Sequence, residues 1–152
     1  MKNDFEFLVG TWTSTHRKLT KYLEGSEDWE EFAGISRCWS IFDGAGYMDE
    51  IYFPGNELSG GTLRLYDASQ DLWSLYWINS KTGLGLPPQV GRFEDTGRGH
   101  FLADDMVNGQ PVKVNFEWSE ITPTSCRWTQ LLSADEGRTW ETTWVTDFSR
   151  TE

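Results

Sequence analysis

Short strand signals, each closed off by Gly, Asp, Asn or Pro, recur along the whole chain. That rhythm restricts the fold to an antiparallel β-sandwich or β-barrel. Strands are predicted near Thr11 to Lys18, Trp29 to Trp39, Tyr47 to Phe53, Thr62 to Tyr66, Trp73 to Asn79 and Gln89 to Phe93. Others are predicted near His100 to Asp104, Pro111 to Trp118, Ser125 to Ser133 and Glu141 to Arg150, for a total of about ten. The alternation is cleanest where Val112, Val114, Phe116 and Trp118 interleave with Lys113, Asn115 and Glu117, which buries one face and wets the other. Turn chemistry sits between the strands: Asp67 to Asp71, Asn108-Gly109, and Asp135-Glu136-Gly137. Strands joined in order by short hairpins make an up-and-down meander. Only the amino end reads as helical, with Asn3 or Asp4 predicted to cap one turn through Phe5, Phe7 and Leu8. The stretch Lys81 to Gln89, holding Gly83, Gly85, Pro87 and Pro88, is too irregular for a strand and reads as a surface loop or a lid.

No linker or change of composition divides the 152 residues, so one domain spanning 1–152 is expected. Nine Trp and nine Phe mean that its core, or a cavity, is built largely of rings. The formal net charge of -11 would repel phosphate backbones and anionic lipid, so neither nucleic acid nor membrane is expected as a partner. No apolar run has the length of a signal peptide or a membrane span, and a cytoplasmic address is expected. Cys38 and Cys126 stand apart with no CxxC pair and no neighbouring His, so no metal site is expected. Each lies in an apolar stretch and reads as a reduced, buried thiol, while the spacing leaves a disulfide open.

The segment Phe7-Leu8-Val9-Gly10-Thr11-Trp12 resembles the Gly-x-Trp signature that opens the first strand of lipocalins and fatty-acid-binding proteins. The whole chain is similar to an uncharacterised bacterial family of small calycin-like proteins, a domain of unknown function. This second resemblance rests on Asp4 through Trp12, on Gly91-Arg92-Phe93, and on Arg127-Trp128-Thr129-Gln130 leading to Ser133 through Glu141. Together they imply an all-β, lipocalin-like (calycin) up-and-down barrel, with the helical turn as its plug. They also imply that Trp12 closes one end and that Arg150 packs over it. A guanidinium on an indole supplies a cation-π attraction of about 0.5 to 2 kcal/mol. The resemblance brings no established reaction. Ser133-Ala134-Asp135-Glu136-Gly137-Arg138-Thr139-Trp140 also resembles the Asp-box of sialidase propellers, a turn-stabilising device built on Asp135, Gly137 and Trp140. One copy cannot make a propeller.

His16 shares the strand parity of Trp12 and reads as a structural ring bonded to a neighbouring carboxylate or as the candidate acid-base residue, while His100 reads as a turn-edge residue. Candidate binding residues are the polar groups set among rings, Arg37, Glu50, Arg64, Arg92 and Gln130, and the rings Tyr76, Trp77, Trp128 and Trp144. Charges facing inward would need partners, such as Glu50 with Arg64 or Arg92. Neighbouring Asp49 and Glu50 point to opposite faces and cannot act as a dyad. No phosphate loop, nucleotide fingerprint or Ser-His-Asp order is present, and no cofactor is expected. The leading expectation is a barrel that binds a small apolar or aromatic molecule. The alternatives are a cofactor-free isomerase, cyclase or lyase acting through His16 or a carboxylate, and a non-catalytic homo-oligomeric module, such as a homodimer, whose surplus rings cover an interface.

Overall fold

The computed structural model describes residues 1–56 and 58–151. Its strands are β1 (Gly10–Leu19), β2 (Trp29–Ile41), β3 (Gly46–Tyr52), β4 (Ser59–Asp67), β5 (Leu72–Asn79) and β6 (Gly83–Leu84). They continue as β7 (Gln89–Phe93), β8 (Gly99–Val107), β9 (Gln110–Ser119), β10 (Ser125–Ser133) and β11 (Glu141–Arg150). Each long strand pairs antiparallel with its neighbours in sequence. The β1–β11 and β4–β5 pairings close the sheet on itself, so ten strands form the wall of a lipocalin-like barrel. Closure leaves no long free edge for another chain to extend.

The meander follows from connections that return the chain directly to the neighbouring strand, the shortest of them two residues between β8 and β9. Asn108 and Gly109 adopt φ of 53° and 78°, the pair of positive values that a two-residue hairpin requires. At the β10–β11 turn, Asp135 accepts hydrogen bonds from the Thr139 amide (2.9 Å) and hydroxyl (2.6 Å) and from the Ser133 hydroxyl (2.7 Å). These bonds favour the carboxylate and hold its pKa down at about 2, with Thr139 the largest contributor. Gly137 takes φ of 90°, and the Trp140 ring lies against it.

Two local expectations need correction. The first turn is a 3-10 helix at Glu6–Leu8 that begins after Phe5 with no side-chain cap, so neither Asn3 nor Asp4 caps it. Asp4 is used elsewhere, accepting from Trp73 Nε1 at 3.2 Å and from the amino terminus. The 81–89 segment is also not loop throughout. Residues 83–84 form β6 and pair with Ile78 and Asn79, on the same side of β5 that meets β7 farther along.

One end of the barrel is solid. Phe5, Trp12, Tyr47, Trp73, Phe101 and Trp118 are each at most 3% exposed there. Their contacts are edge-on or tilted, as between Phe5 and Trp73 with centroids 5.0 Å apart and planes at 89°. Trp12 Nε1 donates to the Leu8 carbonyl at 2.8 Å, which ties the plug to β1. Arg150 stacks 4.2 Å over the Trp12 ring and donates to the carbonyls of Phe7, Val9 and Pro123. Cys38 and Cys126 are buried free thiols, and burial pushes both up to about 12. Among the described residues no helix is long and apolar enough to cross a membrane.

Candidate functional site in the barrel interior

Above the ring-packed floor the strands diverge around a cavity of about 350 Å³. It is large enough for a small organic molecule. Trp128, Trp144, Phe116 and Phe148 wall one side, and Leu75, Ile51 and Phe53 the other. At the far end it is bordered by Trp77, 37% exposed, and by Leu86, 68% exposed, which mark its mouth. The segment that leaves the ladder between β6 and β7 supplies Gly85, Leu86 and Pro87 to that mouth. It is anchored by the Gly85 amide donating to the Trp77 carbonyl at 2.8 Å.

His16 faces this interior from the middle of β1 and is 3% exposed. Trp144 Nε1 donates to its Nδ1 at 3.1 Å, and the Thr146 hydroxyl lies 2.9 Å from the same nitrogen. An indole N–H has no acceptor capacity, so Nδ1 must be the unprotonated nitrogen. The proton is therefore on Nε2, which donates to Ser14 Oγ at 2.9 Å. Burial lowers the imidazole pKa from 6.5 to about 4. His16 is thus a neutral, fully engaged ring, stacked on Phe32 with centroids 4.9 Å apart.

Deeper in the cavity, Arg64 Nη1 donates to Asp49 Oδ2 at 2.6 Å, and the Thr62 amide donates to Asp49 Oδ1 at 2.9 Å. The guanidinium stands 5.1 Å over Phe5 and 5.7 Å over Trp118, so it forms the polar patch where the ring floor meets the cavity. Its Nε and the indole Nε1 of Trp118 are buried donors without an acceptor. Gln130 joins the lining and donates to Thr143 Oγ1 at 3.1 Å.

The structure therefore brings His16, Arg64, Trp77, Trp128, Gln130 and Trp144 to one cavity. It places four other sequence candidates outside. Arg37 and Glu50 pair with each other on the outer face at 3.1 Å, so neither partners Arg64. Tyr76 lies between inward Leu75 and Trp77 and faces away from the interior. Arg92 is exposed and donates to the carbonyls of Gln70 and Asp71. The role expected for Glu50 falls to Asp49, one residue earlier and on the opposite face of β3. Sequence reasoning also missed Gln89, whose amide donates to the carbonyls of Phe101 (2.9 Å) and Val114 (3.0 Å). The Asp49-Glu50 and Arg37/Arg64 spacing admits either pairing, and only the register Cys38↔Asp49 and Arg37↔Glu50 settles it. Among the described residues no group of three or more His, Cys, Asp or Glu is arranged to hold a metal.

No family profile matches the chain, and no curated protein matches it. Among solved structures it is similar to the S-type phycobiliprotein lyase of Guillardia theta, with a TM-score of 0.56. The likeness covers 97% of this chain and 90% of that one at 12% identity. It shows the fold, a lipocalin-like barrel.

Proposed function

We propose that the barrel binds a small, largely apolar or aromatic molecule in its interior. The observation that carries this reading is the 350 Å³ cavity walled by Trp128, Trp144 and Phe116 in a barrel whose other end is packed solid with rings. Rings could have filled that space, as they do around Phe5, and they do not. The likeness to a phycobiliprotein lyase is in keeping with a barrel that takes a small molecule. Catalysis by proton transfer at His16 is a weaker reading, because both ring nitrogens are engaged and the ring is neutral near pH 7. On the residues quoted above, we group the chain with the small bacterial calycin-like proteins. The charge of -11 supports a partner set without nucleic acid or anionic membrane.

Native mass spectrometry of the purified protein, followed by tryptophan-fluorescence titration with a panel of aromatic compounds, tests the reading. A bound compound, or a saturable change in emission, is expected. Both should disappear in Ala103→Trp, which fills the cavity from β8. Absence of a copurified compound together with no response to any panel member overturns it.

A further inference from the structure

The charges deep in the cavity cancel. Asp49 and Arg64 are 2.6 Å apart, with side chains 17% and 4% exposed. Asp104 pairs with Lys113 at 2.8 Å on the outer face of β8, with a side chain 81% exposed, and brings no charge inside. His16 carries no charge, since its Nδ1 accepts from an indole N–H. Among the described residues Asp105 lines the mouth without an ion-pair partner, and Lys18 sits over the Trp144 ring at 4.8 Å. The deep cavity is thus electrically neutral, inside a molecule of net charge -11.

The imidazole, the carboxylate and the Gln89 amide at depth bond within the wall. His16 is held by Ser14, Trp144 and Thr146, Asp49 by Arg64 and Thr62, and Gln89 by two carbonyls. What is left over among the described residues is buried donor capacity at the Arg64 end, on Arg64 Nε and on the neighbouring Trp118 Nε1, both on residues that line the cavity. No free carboxylate waits at depth for an ammonium. A ligand carboxylate would be a second anion beside an arginine that Asp49 already neutralises, leaving one buried negative charge uncompensated.

We propose, resting on the cavity-binding reading above, that the ligand is an uncharged aromatic molecule whose hydrogen-bond acceptor, a carbonyl oxygen or ring nitrogen, sits at the Arg64 end of the cavity. A carboxylate or ammonium group carried to that depth is rejected. The apolar walls accept the ring system, and desolvation of a charged substituent finds no counter-charge.

Isothermal titration calorimetry at neutral pH with 2-acetylnaphthalene, 2-naphthoate and 2-(aminomethyl)naphthalene provides the test. These share one ring system and differ in charge. The ketone is expected to bind at least about tenfold more tightly than either ion. Asp49→Asn, which leaves Arg64 without its counter-ion, should raise naphthoate affinity relative to the ketone by about tenfold, provided circular dichroism shows the variant folded. Naphthoate binding as tightly as the ketone in the unmodified protein overturns the inference by itself, whether or not the variant folds. So does a copurified ligand bearing a carboxylate, which leaves the cavity-binding reading standing. Failure of all three compounds, with no copurified ligand and no panel response, overturns that reading as well.

Discussion

At the residue scale, His16 shows how burial converts a titratable group into a structural one. Its parity with Trp12 was legible in the sequence, because a strand alternates and Trp12 has to face the barrel end. Its chemistry was not, since that depends on Trp144 and Thr146, 128 and 130 residues away. The same distance problem hid Asp49, whose partner Arg64 lies across β3 and β4. The His16 pKa of about 4 lies below the ordinary 6.5, so the unfolded chain takes up a proton first as the pH falls. The stabilisation from this neutral ring is complete above pH 6.5 and is lost as pH drops through that window towards 4. Urea titrations at about pH 7 and about pH 4.5 should differ by roughly 2 to 3 kcal/mol more in the parent protein than in His16→Gln, which cannot titrate. Equal pH dependence in the two proteins would show that the ring is not held neutral.

At the element scale, strand positions were legible almost throughout, while the facing of β2 was not. Hydrophobic periodicity assumes that the large apolar residues point inward. In β2 the inward set is Phe32, Gly34, Ser36 and Cys38, and the outward set includes Ile35, 52% exposed, and Trp39, 38% exposed. Trp39 continues an outer row through Met48, Leu63 and Tyr76 on the next strands. A strand beside an unfilled cavity needs small inward residues, so the usual pattern is inverted where the site is. Tyr76 misled for the same reason: it belongs to the outer row. Gly34 is the tightest point on this strand, since a Cβ there would lie 2.5 Å from Ser14 Oγ and 2.8 Å from His16 Nε2. Gly34→Ala is expected to destabilise the protein by about 1 to 3 kcal/mol, seen as a lower urea midpoint with unchanged slope. Ser14→Ala in the same chain should recover part of the loss, because it removes the nearer of the two atoms; a strictly additive double variant would sink this account.

At the scale of the whole molecule, the barrel exists only once the first strand meets the last. Trp12 pairs with Arg150 across nearly the entire chain, and closing so long a loop carries an entropic cost that local contacts cannot offset. Arg150 sits at that seam. Its guanidinium covers Trp12 and donates to carbonyls from the plug, at Phe7 and Val9, and from the β9–β10 connection, at Pro123. One planar group thus joins the plug, the seam and the connection. Arg150→Ala would leave three carbonyls and one indole face without their partner, and a loss of about 2 to 4 kcal/mol is expected by urea denaturation. Arg150→Lys keeps the charge but lacks the planar fork that reaches three acceptors at once, so it should recover only a minor part. Because Trp12 lies under the guanidinium, its emission should shift in both variants before global unfolding. Full stability in Arg150→Lys would mean that charge, and not the fork spanning plug, seam and connection, holds the barrel closed.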